Sequence, residues 1–393
     1  MVHDGSYSQL ELMQARVKSV PDGWAFNYVG KAFAIKNNLR KPISEDERDK
    51  NPGRYPYYGP TKIQGYIGTF EQDGSYALIG EDGDHFLKYE SQAMTQLVDG
   101  KCTVNNHAHV IEGTKKATRE WFYYYFMHRD IFSFLSRQGA GRYKLNKASL
   151  EKIPVLVPPV QEQKKITQIL STWDKAITTT EQLLTNSQQQ KKALMQQLLT
   201  GKKRLLDKNG GRFSGEWRFL TFDEAFKVAN KKSAQVKSSD YLATGSVAIV
   251  DQGKELIAGY CDNDERYTNV PVIIFGDHTR CLKWVDFEFC PGADGTQVLD
   301  TKEFLDKKFG YYLLCHTDIP NLGYSRHMRE LKEKDFKVPV DMVEQQKIAA
   351  VLSAADQEIS ALQQNLEALK QEKKALMQQL LTGKRRVTVE EAA

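Results

Sequence analysis

The sequence predicts a mixed α/β chain built as an internal repeat: two globular α/β segments separated by a long antiparallel two-helix coiled coil with pseudo-twofold symmetry. Three observations carry this. Residues 191–202 and 373–384 read the same twelve letters, KKALMQQLLTGK, at a shift of 182. The stretches before them repeat apolar residues every seven positions, the spacing of a supercoiled helix pair. An aromatic start, Trp24, Phe26, Ala32 and Phe33, returns as Trp217, Phe219, Ala225 and Phe226 at a shift of 193. The shifts differ by 11, so the second globule is that much shorter than the first.

The elements follow in order. Residues 1–159 form the first globule, 160–206 the first helix, 207–340 the second globule, 341–386 the second helix and 387–393 a tail. Within the globules, Tyr76–Gly80, His107–Ile111, Val270–Phe275 and Lys283–Phe289 read as strands between Gly- and Asp-rich turns. Late in each comes an aromatic run, Glu120–Phe126 and Phe309–Leu314, which reads as a helix packed on the sheet. Pro158-Pro159 precedes the first long helix, Asp341 lies near the start of the second, and Gly201 and Gly383 stop them. Both seams run for five heptads, Ile166 to Leu198 and Ile348 to Leu380. Helices of ~40 residues reach ~60 Å, too long for one globule to cover, so they pack on each other. The short connector after Lys202 then favours antiparallel packing in a dumbbell-like chain.

Composition narrows the function. With 40% hydrophobic and 27% charged residues the chain is globular rather than fibrous or disordered. Mean hydropathy is −0.54, and no apolar stretch has membrane-spanning length. The N-terminus lacks the apolar core of a signal peptide, which predicts a cytoplasmic protein. Five cysteines without a CxxC point to reduced thiols rather than a disulfide framework or a zinc site. The net charge of +5 permits a polyanion partner. Eight Lys or Arg against three acids in residues 160–206 amount to that whole surplus, leaving the globules near neutral and their non-specific hold on phosphate weak.

Catalytic motifs are missing. No phosphate-binding loop, dinucleotide turn, HExxH or nucleophile elbow is present. His107 and His109, two apart on an expected strand, share a face there but lack a third metal ligand. Asp277-His278 looks like an acid–histidine pair, but no Ser or Cys is placed as its nucleophile. A chain active by itself as a methyltransferase or endonuclease therefore stands as the alternative reading. A coiled-coil scaffold without sequence specificity is another, although it leaves two elaborate globules unexplained.

The remaining features suit DNA. Arg137-Gln-Gly-Ala-Gly-Arg-Tyr-Lys144 and Asn321-Leu-Gly-Tyr-Ser-Arg-His-Met-Arg329 are glycine-containing basic loops at equivalent places in the two halves. Such loops can reach phosphates and base edges. The candidate DNA contacts are Tyr57, Lys62, Asn105, His107, Arg137, Arg142 and Lys144 in the first half. In the second they are His278, Arg280, Tyr324, Arg326 and Arg329. No residue is a candidate for catalysis, cofactor or metal. Gln188, Gln189, Gln196, Gln197, Gln378 and Gln379 on the outward helix faces are candidates for partner binding.

Taken together, the EQKKI and EQQKI helix starts, the KKALMQQLLTGK ends, Tyr55–Ile67, Ile79-Gly-Glu-Asp-Gly83, Phe275-Gly-Asp277, Val104-Asn-Asn-His107 and Gly141–Leu150 resemble the specificity subunit of type I restriction–modification enzymes. The likeness spans nearly the whole chain. It implies two target recognition domains that each read half of a bipartite double-stranded DNA sequence. It further implies that the helices space these domains and dock two modification (methyltransferase) subunits, and through them restriction/translocase subunits. S-adenosylmethionine, ATP and Mg would then reside on those partners and no cofactor on this chain, with no membrane involved. The target sequence does not transfer, because recognition segments diverge.

Overall fold

The computed structural model describes residues 9–14, 18–137, 141–293, 295–323 and 325–389. The chain divides into two compact units, Met1–Thr179 with Leu366–Ala393, and Thr180–Asn365. Each therefore holds one globule, the start of one long helix and the end of the other.

In the first unit six strands form one sheet in the order Ala34–Ile35, Ala108–Glu112, Gln72–Gly80, Thr95–Val104, Pro52–Tyr58, Ile63–Ile67. Its middle is antiparallel, with Ile79 opposite His109 and Gly80 opposite Ala108. The aromatic run is the helix Arg119–Phe126, started by the Thr118 side chain, which accepts from the Trp121 N–H. It buries Trp121, Phe122 and Phe126 completely. A separate pair, Ala25–Tyr28 with Pro154–Val157, joins the beginning and end of the globule.

The second unit repeats this plan with fewer strands. Phe226–Val228, Thr296–Thr301, Val272–Gly276 and Leu282–Val285 make a four-stranded sheet. Phe275 stands opposite Gln297 and Gly276 opposite Thr296, matching the first unit's register. The aromatic helix is Lys307–His316 and the closing pair is Trp217–Thr221 with Asp335–Pro339. The expected strand Lys283–Phe289 is instead two, Leu282–Val285 and Phe289–Pro291, in different sheets. Continuous alternation hid the break, since Asp286 and Glu288 on the bend keep the two-residue period.

The long helices are Val160–Leu198 and Met342–Leu380, 39 residues each, or ~58 Å at ~1.5 Å per residue. Both units pack the start of one against the end of the other: Ile166 and Leu170 with Met377 and Leu380, then Ile348 and Leu352 with Leu198 and Leu199. The pairing is antiparallel. Gly201 and Gly383 carry φ of 74° and 71°, the left-handed conformation that ends a helix.

Polar clusters recur with this pairing. Glu162, buried, takes the Arg386 guanidinium in two bonds of 2.7 and 2.8 Å. In the second unit Glu344 holds Arg204 the same way at 2.5 and 2.7 Å. Asp174 binds Lys373 at 2.5 Å and the Tyr124 hydroxyl at 2.7 Å; Asp356 binds Lys191 and Tyr312 at the same distances. The glutamine beside each glutamate is also structural: Gln163 accepts from the Thr118 N–H and Gln345 from the Asp306 N–H, the residues that cap the aromatic helices.

Candidate nucleic-acid interface

In the first unit the strand Gln72–Gly80 runs out into the turn Gly80-Glu81-Asp82-Gly83. A Cβ on Gly80 would lie 2.5 Å from His85 Nε2, so the ring would have to shift for any larger residue. Three backbone bonds stitch the turn to its neighbours: Glu81 N–H to His107 O (2.8 Å), Leu145 N–H to Glu81 O (2.7 Å) and Gly83 N–H to Tyr143 O (3.0 Å). They bring the acidic turn, the His107 turn and the basic hairpin of Ser136–Arg137 with Tyr143–Lys144 to one place.

The side chains form a charge cluster. Arg40 pairs with Glu81 and donates to the Asn106 carbonyl at 2.9 Å. Lys144 lies 3.3 Å from the other Glu81 oxygen. His107 Nδ1 is 2.6 Å from Asp82. Arg137 lies over the Tyr143 ring and donates to the Gly141 carbonyl at 3.0 Å. Arg142 and Lys62 are exposed. The cluster thus offers Arg, Lys and imidazole donors on a framework whose two carboxylates hold them apart.

Two candidates change role. Tyr57 is only 2% exposed, its hydroxyl accepts from the Ile43 N–H and Arg48 covers its ring, so it belongs to the core rather than the surface. Asn105 is buried as well; it accepts from the His107 N–H at 2.8 Å and donates to Gln64 at 2.9 Å, tying the His107 turn to the strand Ile63–Ile67. His107 and His109 do not share a face. His107 sits exposed in the turn before the strand, whereas His109 is fully buried. There Asn37 Nδ2 donates to His109 Nδ1 (2.8 Å), so the other ring nitrogen donates to the Leu145 carbonyl (2.7 Å). Burial holds the pKa of His109 below its ordinary value.

The second unit uses the same anchor. The Asp277 carbonyl accepts from the His327 N–H (2.8 Å) and His327 Nδ1 (2.9 Å), and its carboxylate accepts from the Met328 N–H (2.7 Å). This fixes the loop carrying Arg326 and Arg329, both exposed; Tyr324 lies outside the described residues. Among the described residues Arg329 pairs only with Glu333, one helical turn on, at 3.3 Å. Arg280, at φ 60°, spends its guanidinium on the Ile319 carbonyl (2.8 Å), in the stretch leading to that loop, and the His278 N–H donates to Gln252. Gln188, Gln189, Gln196, Gln197, Gln378 and Gln379 are all exposed on the long helices.

Sequence reasoning missed Arg40, Asn37 and Asn230. The two asparagines are related by the same 193-residue shift as the aromatic start, and each accepts a strand N–H, Val110 and Val298 respectively. That shift was the available signal. Among the described residues no group of His, Cys, Asp or Glu is placed to hold a metal ion, and no helix is long and apolar enough to cross a membrane.

Comparison with known proteins now adds to this geometry. Residues 21–186 match the family described as the type I restriction modification DNA specificity domain. That match covers about two fifths of the chain, and the likeness is to type I restriction–modification specificity subunits. A putative type I restriction enzyme specificity subunit of Haemophilus influenzae is 38% identical over 136 residues, 35% of this chain and 34% of that protein. A putative specificity subunit of Methanocaldococcus jannaschii is 24% identical over 97% of this chain and 98% of its own length. The crystal structure of a type I system S subunit from M. genitalium superposes with a TM-score of 0.66 at 15% identity, covering 94% of this chain and 98% of that one. It shares the fold.

Proposed function

We propose that this chain is the DNA-reading, non-catalytic subunit of a type I restriction–modification assembly. Residues 1–159 and 207–340 are its target recognition domains, each reading one half of a bipartite duplex sequence. The carrying observation is the repeated anchor. Glu81 O and Asp277 O hold two basic loops by the same backbone bonds while the side chains presented differ, as expected of one scaffold reading two sequences. In the first domain the direct contacts are Arg142, Lys144, Arg137, His107 and Lys62, and in the second Arg326 and Arg329. The exposed glutamines of the long helices dock two modification subunits, and restriction/translocase subunits join through them. S-adenosylmethionine, ATP and Mg act on those subunits, and the assembly works in the cytoplasm. Mapping methylated adenines in DNA from cells carrying the system tests this: two short motifs separated by an unread gap are expected, and exchange of residues 207–340 for those of a relative should change one motif only. Methyl transfer by the purified chain without partners would overturn it.

A further inference from the structure

The second unit contains a polar cleft of about 360 Å³ between the segment after the strand Phe226–Val228 and the start of the strand Thr296–Thr301. Its walls carry Lys232, Gln235, Gln297 and Arg326, with Thr296 among its lining residues. The Thr296 hydroxyl is buried and has no hydrogen-bond partner. Leaving such a group unpaired is costly, so the site is incomplete as it stands.

The first unit explains how the cleft arises. Its sheet has the same register, so Ala108 stands where Thr296 does and His109 where Gln297 does. Asn37 and Asn230 anchor the two strands alike. In the first unit, however, His109 is fully buried, and Arg40 reaches across to Glu81 and the Asn106 carbonyl. At the 193-residue shift Arg40 becomes Ser233, too short to cross, and Ala108 becomes Thr with a hydroxyl to offer.

We propose that this cleft seats a phosphodiester of the DNA backbone, held by Lys232, Arg326 and the Thr296 hydroxyl; the proposal rests on the DNA-reading function above. Two exposed cations and an unpaired buried hydroxyl are donors waiting for an anion. Among the described residues neither Lys232 nor Arg326 has a carboxylate partner, and the Asp277 carboxylate is engaged by the Met328 N–H. The lining contains no aromatic ring, whereas a flipped-out base is held by stacking. Base edges in a groove are reached by protruding side chains. What a duplex inserts into a concavity is its sugar–phosphate ridge. The contact therefore positions the second half-site and does not read it.

The test uses the chain assembled with its modification subunits and fluorescent duplexes carrying the mapped target, or that target with the second half-site scrambled. Thr296→Val keeps the volume and removes the hydroxyl. It should weaken both duplexes alike while leaving thermal stability unchanged or raised, the opposite of what loss of a structural hydrogen bond gives. Lys232→Ala with Arg326→Ala should make log K against log salt shallower by about 0.9 per contact, so that the affinity lost between 50 and 200 mM salt shrinks about 12-fold. Unchanged binding in both variants overturns the proposal, as does loss confined to the intact target with relaxed choice at one base. Stabilisation of the DNA-free protein by inorganic phosphate, abolished in the double variant without change in DNA affinity, would make this a free-anion site and overturn it too. Wild-type assembly that ignores both half-sites would instead defeat the DNA-reading function itself.

Discussion

Removing Arg204 should destabilise the protein more than removing Arg386, although the two occupy equivalent positions in the repeat. Each guanidinium forks onto a buried glutamate, and each lies over a tryptophan, Trp217 at 5.6 Å and Trp24 at 5.7 Å. The difference is what remains. Without Arg386, Glu162 still accepts from Trp24 Nε1 at 3.0 Å. Without Arg204, Glu344 keeps no such donor, because Trp217 Nε1 is buried without a partner, and the Glu344 side chain is 0% exposed. Stripping one partner from a buried ion pair costs about 3–5 kcal/mol, and a hydrogen bond to a charged group contributes about 1.5–3 kcal/mol. Arg204→Met should therefore cost about 3–5 kcal/mol and Arg386→Met about 1.5–3 kcal/mol less. Because the units need not melt together, hydrogen exchange read at peptides over 195–206 and 377–388 is the suitable assay. Glu344→Gln in the Arg204→Met background removes the stranded charge and should recover part of the loss. Equal costs, or a larger one for Arg386→Met, would refute the reasoning.

Three further outcomes are expected. Burial lowers the pKa values of His85, His109 and His128. The unfolded chain thus takes up these protons first, so stability of the first unit is full above pH about 6.5 and falls as pH drops below it; His109→Gln, copying Gln297, should weaken that dependence in denaturation measured from pH 7.5 to 5. Arg142→Ala with Lys144→Ala should weaken binding at the first half-site, by ~1–3 kcal/mol where a base is read, and leave the melting temperature within a degree or two; titration with a duplex scrambled at that half-site is the control. Mass measurement of the methylating assembly should give two modification subunits per chain, and charge substitution at Gln196, Gln197, Gln378 and Gln379 should lower that number without unfolding either helix.

What could be read from the sequence was set by period and identity. Seven-residue spacing and a repeated end motif located both long helices, and dense aromatics located the helices Arg119–Phe126 and Lys307–His316. Sheet order was not legible, since it depends on pairings between distant segments. Nor could alternation distinguish one strand from two across residues 283–289. Polar residues were the harder case. Tyr57 and Asn105 carry groups that suit DNA, but their partners, the Ile43 N–H and Gln64, are fixed only by the folded sheet. Position on a strand placed His107 and His109 together, whereas the turn at Asn106 separates them.

The repeat also shows why the helices stay alike while the globules diverge. Each long helix carries acids near its start, Glu162 and Asp174 or Glu344 and Asp356. Basic partners lie at its end or just beyond, Lys191 and Arg204 or Lys373 and Arg386. Antiparallel pairing sets the acids of one helix on the bases of the other in both units. A change at one position therefore requires a compensating change elsewhere, and buried charges make an uncompensated change expensive. Although Lys144 still pairs with Glu81 and His107 with Asp82, the basic loops bear fewer such demands. Backbone atoms of Glu81 and Asp277 hold them, and a backbone carbonyl accepts from whichever residue follows the loop. Arg40 and Ser233 illustrate the consequence: a substitution that closes a cleft in one globule and opens it in the other leaves the Asn37 and Asn230 anchors intact. Side chains proposed to face DNA can thus be replaced without disturbing the helices, which under the proposed function would separate the choice of target from the assembly of the complex.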